Sequence, residues 1–173
     1  RASLGLAIGT NVQAWDADLD EIAGIGPAAE DNFIVGRSAG AGGGWGQETP
    51  AAARTSLGLD DGVYTPTLTN VTNIAASTAA ACQYMRVGDT VTVSGSVVVD
   101  PTATGDCELC ISLPIASNLV GVLTCVGVGA CGVVAGFSTV IIGDATNDRA
   151  AMQWVAVDVA NRAVRFTFTY RIT

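Results

Sequence analysis

Near its end the chain alternates without a break, Val164, Phe166, Phe168, Tyr170 and Ile172 falling between Ala163, Arg165, Thr167, Thr169 and Arg171. A period of two sends successive side chains to opposite sides of a strand, so this segment has one strongly apolar face and one polar face. Such a strand needs hydrogen-bonded neighbours and a core beneath it, and one wet face is the mark of an antiparallel sheet. From Val63 onward the same pattern gives strand candidates at 63 to 69, 80 to 87, 90 to 99, 107 to 113, 121 to 128, 131 to 142, 151 to 159 and 163 to 172. Turn signals separate them at the spacing of a sandwich or barrel. The expectation is a mainly β chain whose residues 63–173 form an antiparallel β-sandwich or jelly-roll-like domain.

Ala160, Asn161 and Arg162 read as the turn of a terminal hairpin, with Met152 to Val159 as the partner strand. Val155, Val157 and Val159 then share the core face, and Trp154 points the other way. An outward Trp suits a sugar platform, a contact between subunits, or cover by a loop; the subunit contact is the reading taken.

Composition bounds the rest. Of 173 residues, 49% are hydrophobic and 14% charged, which excludes disorder for most of the chain. The net charge is −8, and all eight cations are arginines, with no Lys and no His. Polyanions need clustered cations, so nucleic acid is not an expected partner. Gly, Ser, Thr or Asp interrupts every Val-rich run, so membrane insertion is not expected either. The sequence opens on Arg1 without a signal-peptide pattern and is read as part of something longer. Five cysteines, Cys82, Cys107, Cys110, Cys125 and Cys131, are an odd set, so at least one is free or pairs between chains, and they are read as small buried hydrophobes in strands.

The first 62 residues differ from the remainder, holding 12 of the 21 glycines and nine of the 16 acidic residues, with a boundary near Asp60, Asp61 and Gly62. Arg1 to Leu6 (RASLGL) is echoed by Arg54 to Leu59 (RTSLGL), which suggests a repeated module. Thr49 as N-cap, Pro50 at the first helical position and Gly58 as stop predict a short helix. A second helix is expected from Thr10 to Gly24, with Val12, Trp15, Leu19 and Ile22 at coiled-coil spacing. An amphipathic helix lying on the β domain explains that spacing equally well. Asn32 to Val35 reads as a strand that enters a hairpin with a glycine-rich loop over Ser38 to Gly46. Elements this small form no core alone. Strung in series, they suit a shaft made by several chains.

Catalytic chemistry finds little support. Without His there is no triad of the common kind and no histidine metal site. Cys107 and Cys110 have the spacing of a zinc knuckle, but Leu109, Ile111 and Leu113 alternate through them as a strand would. The carboxylates of Asp60, Asp61, Asp144 and Asp148 sit in turn contexts. A calcium site at Asp144, Asn147 and Asp148 lacks the full EF-hand pattern. The expectation is no enzyme, no cofactor and no metal.

Three segments carry a family likeness: Asp31 to Arg37 (DNFIVGR), Trp45 to Thr49, and Ala51 to Leu59 (AAARTSLGL). Together they resemble a module that recurs in tail fibre and tail-spike proteins of tailed bacteriophages. Arg1 to Ile25 is similar to the companion module of those proteins. Tyr64 to Asn70, Ile111 to Ser117 and Phe166 to Tyr170 resemble the C-terminal β domains that follow such modules. In place of a more polar connection, the hairpin loop here is Arg37 followed by SAGAGGG. The resemblance implies a homotrimer with residues 1–62 wound as a shaft and 63–173 as a tip, its interface drawn from Val12, Trp15, Leu19, Ile22, Leu57, Leu59 and Trp154. It further implies a virion appendage, assembled in the host cytoplasm beside other tail proteins, that attaches to host cell-surface carbohydrate or protein. Recognition is assigned to loops 100 to 106, 116 to 118 and 144 to 149, with Asn118, Asn147, Asp148 and Arg149 as candidate receptor contacts. The alternative is a purely structural trimerisation, shaft or decoration segment with no receptor contact of its own.

Overall fold

The computed structural model describes residues 22–25, 32–36, 44–134 and 137–173. Val12, Trp15 and Leu19 lie outside them, and of the helix expected over Thr10 to Gly24 only the helical residues 22–24 are described. Two compact units are present, Arg1–Ser56 and Leu57–Thr173. The second starts ahead of the boundary expected near Asp60, because the segment Leu59–Tyr64 is a strand paired along its length with Cys82–Val87.

In the first unit, β1 (Phe33–Gly36) and β2 (Trp45–Glu48) form an antiparallel hairpin with Phe33 opposite Glu48 and Gly36 opposite Trp45. The helix α1 (Pro50–Ser56) follows. Thr49 caps it as expected: its Oγ1 accepts the Ala52 amide at 3.2 Å and its carbonyl accepts the Ala53 amide at 2.9 Å. Gly58, at φ 67, ends the helix in the left-handed conformation that glycine adopts without strain.

Among the described residues the second unit has ten strands in one curled antiparallel sheet. They are β3 (Leu59–Tyr64), β4 (Leu68–Thr72), β5 (Ile74–Ala79), β6 (Cys82–Val87), β7 (Thr90–Pro101), β8 (Gly105–Ser112), β9 (Cys125–Cys131), β10 (Ser138–Asp144), β11 (Arg149–Ala156) and β12 (Arg162–Arg171). Their spatial order is β3-β6-β7-β12-β9-β10-β11-β8-β4, with β5 also pairing β7. The sheet curls far enough to bring β4 beside β5, where the Ser77 hydroxyl donates to Asn70 Oδ1 at 2.6 Å.

The core lies inside that curl. On β12, Val164, Phe166, Phe168 and Tyr170 are all buried, as their alternation predicts. Glycine makes room for the aromatic rings: Gly95 lies opposite Phe166 on β7, and Gly129 and Gly127 lie opposite Phe166 and Phe168 on β9. Val91, Val93, Val97 and Val99 from β7, and Leu109 and Ile111 from β8, complete the wall.

Several expectations for this region are corrected. The terminal hairpin does not form, since β12 pairs with β7 and β9 while β11 pairs with β10 and β8. Trp154 does not face outward: it is 6% exposed within the core cluster, whereas Val155 is 61% exposed. The apolar phase of β11 runs through Ala150, Met152, Trp154 and Ala156, not through the valines. The candidate strand at 63 to 69 is two strands broken around Pro66, and β5 was not among the candidates. The turn into β5 is made by Asn73 at φ 55, held by hydrogen bonds to Thr102 and Ala103.

Candidate functional site

Of the three candidate recognition loops, two meet. Arg149, at the start of β11, pairs with Ser112, at the end of β8, so the turn 144–149 and the segment after β8 emerge at the same end of the sheet. Asp148 joins them. Its carboxylate accepts the Ser117 amide on Oδ2 and the Leu119 amide on Oδ1, both at 2.9 Å. Asn118 sits between those amides at φ 58, and Asp148 itself is at φ 50, so each side of the joint holds a left-handed residue of a type that tolerates it. Burial opposes ionisation of Asp148, but the amides of Leu119, Ser117 and Asn118 outweigh it and hold the carboxyl below its ordinary range.

The chain end braces the same joint. Ser117 is fully buried and its hydroxyl donates to the Arg171 carbonyl. Thr173 Oγ1 donates to the carbonyls of Ser117 at 2.7 Å and Asn118 at 2.8 Å. Tyr170 Oη donates to the Ile115 carbonyl at 2.7 Å and accepts its amide at 3.2 Å.

The turn 144–149 is organised by a second carboxylate. Asp144 Oδ2 accepts Arg149 Nε at 2.7 Å and Asn147 Nδ2 at 2.9 Å. Despite the opposing effect of burial, these contacts hold Asp144 below the usual carboxylate range. The four candidate contacts therefore divide: Asn118 and Asn147 are exposed, Asn147 with part of its amide given to Asp144, while Asp148 and Arg149 are half-buried and engaged in holding the loops. The carboxylates of Asp144 and Asp148 turn to different partners, so they do not converge on one cation.

The third loop, 100 to 106, leaves the sheet at the other end, where Gly105 of β8 pairs with Ala156 of β11. Near it, on the outer face, a groove of about 600 Å³ is lined by Thr72, Asp106, Glu108, Val140, Gln153 and Val155. Glu108 Oε2 accepts Gln153 Nε2 at 2.8 Å across β8 and β11. Sequence reasoning missed this groove, because pairing over such a separation leaves no local signal.

The remaining candidates behave as strand or surface residues. Cys107 belongs to the core, while Cys110 shares the opposite face of β8 with Glu108, so the two thiols cannot grip one ion. Burial pushes the Cys110 thiol up to about 11, against the pull of Arg149, and the Cys125 thiol up to about 12. Leu57 is exposed, Leu59 is half-buried opposite Val87, and Ile22 is half-buried. Among the described residues no helix is long and apolar enough to cross a membrane. No family model, curated protein sequence or solved structure matches the chain.

Proposed function

We propose that the chain is a homotrimeric, non-enzymatic appendage of a bacteriophage tail, whose β unit presents its braced loop end to a carbohydrate or protein on the host surface. The observation that carries this reading is the joint at Asp148, which ties two loops from distant parts of the chain to each other. Rigid loops on a sheet lose little entropy when they bind, and exposed Asn118 and Asn147 offer amide donors and acceptors suited to sugar hydroxyls or peptide groups. Three such ends on one trimer would gain avidity without any further contact. In the same proposal the hairpin and short helix of the first unit belong to a shaft, the curled sheet is a sandwich or jelly-roll-like tip, and assembly takes place beside other tail proteins.

A purely structural role is favoured by a different observation, namely that Asp148 and Arg149 spend their polar atoms on the fold itself. Competition separates the two. Excess purified chain should block adsorption of the parent phage, and a chain carrying Asn118→Ala and Asn147→Ala should block it less. No block at any concentration would leave only the structural role.

A further inference from the structure

We infer that the outer face of β9 and β10, with the strands beside them, is an interface between copies of this chain, in which Arg165 of one copy meets Glu108 and Asp106 of the next. The inference rests on the homo-oligomeric reading above and adds to it the surface through which the copies touch.

An outer sheet face in water is ordinarily polar, and β12 obeys that rule with Arg165, Thr167 and Thr169. The next strands do not. Val126, Val128, Val140 and Val155 are 51%, 62%, 50% and 61% exposed. Register makes them neighbours: Thr167 lies opposite Val128, Val128 opposite Val140, Val140 opposite Gln153, and Gln153 opposite Glu108. The adjacent row runs from Val126 to Ile142 and on to Ala151. No charged side chain interrupts this field on β9 or β10 before Asp144. Apolar area of this kind, continuous across several strands, marks an association surface.

Charge identifies the occupant. On one flank Arg165 is exposed and makes no ion pair among the described residues. On the other flank Asp106 and Glu108 line the groove, and among the described residues Glu108 hydrogen-bonds Gln153 and the Cys110 thiol and makes no close ion pair. β12 and β8 are four strand steps apart in the sheet, about 19 Å at ordinary strand spacing. Within one chain these charges cannot meet. Three copies turned about a threefold axis with their valines inward set each copy's arginine flank against the acidic flank of the next, so the contact is head to tail and the ring closes. The two flanks are complementary to each other, with the valines supplying the burial and the charges the register.

The test is sedimentation of the full chain over a concentration series, with circular dichroism to show that each variant keeps its sheet. Val128→Glu should raise the concentration at which the assembly dissociates by about tenfold or more, as for a central apolar contact. Arg165→Glu should raise it by roughly threefold to tenfold, and Arg165→Glu combined with Glu108→Arg should bring it back most of the way. An assembled chain whose dissociation is the same in all three variants would overturn the interface while leaving the homo-oligomer intact. Wild-type chain that stays monomeric throughout would overturn both.

Discussion

Phe168 on β12 packs directly over Gly127 on β9, so closely that a Cβ added to the glycine would lie 2.4 Å from the Phe168 Cβ and 2.3 Å from the Thr167 carbonyl oxygen. Gly129 repeats the arrangement under Phe166. The aromatic ladder of β12, with Phe166 and Phe168 stacked at 5.8 Å, thus depends on a neighbouring strand that presents almost no side chain to it.

Gly127→Ala should therefore destabilise the β unit by about 1 to 3 kcal/mol or more, since the backbone accepts alanine but the space does not. The midpoint of urea or thermal unfolding measures this. An unchanged midpoint would show that the ladder can slide aside.

Asp148→Ala removes the acceptor for two backbone amides and should cost about 1 to 3 kcal/mol. Because the folded carboxyl titrates below its unfolded value of about 3.9, the contribution is complete above that pH and is lost as pH falls through the folded value. The wild type should consequently lose its advantage over the variant below about pH 4. Unfolding curves at neutral and acid pH test the sign.

Trp154 is buried beside Phe137, with ring centroids 6.4 Å apart, yet among the described residues its Nε1 has no hydrogen-bond partner. Trp154→Ala should cost about 3 to 5 kcal/mol through the cavity it leaves. Trp154→Phe also removes a donor that the fold leaves unsatisfied, so it should cost much less than the alanine variant. Equal losses in the two variants, measured by denaturant unfolding, would contradict this account of the indole.

All five thiols are free and buried. An aromatic disulfide reagent at neutral pH should label them slowly in the folded chain and all five promptly in denaturant, because burial withholds access to all five and, at Cys82, Cys107, Cys110 and Cys125, the thiolate form as well. Prompt labelling of one thiol in the native protein would locate an opening that the fold does not show.

The alternation of β12 was legible because its apolar residues are bulky and its polar ones charged or hydroxylated. β11 was not, because its inner positions mix Ala150 and Ala156 with Met152 and Trp154, while its outer and following positions carry valines. Where both faces of a strand hold apolar residues, the pattern loses its phase, and the valine-rich outer face that misled the reading of Trp154 is itself a property of the molecule. β5 escaped for another reason. Its sequence, IAASTA, has little alternation, and its turn depends on a left-handed Asn73 held by residues some thirty positions away. The joint at Asp148 is likewise non-local: the loops were recognised individually, but nothing near Ser117 or Asp148 in the sequence announces that they meet. Around the short helix α1 the signals were local, and the Thr49 cap and the Gly58 stop stood where the residues indicated.

The appendage reading depends most directly on the chain working in threes, and equilibrium sedimentation of the intact protein at micromolar concentration measures that. The account predicts a species of three times the 17.4 kDa chain mass. A single-chain mass at every concentration would contradict it.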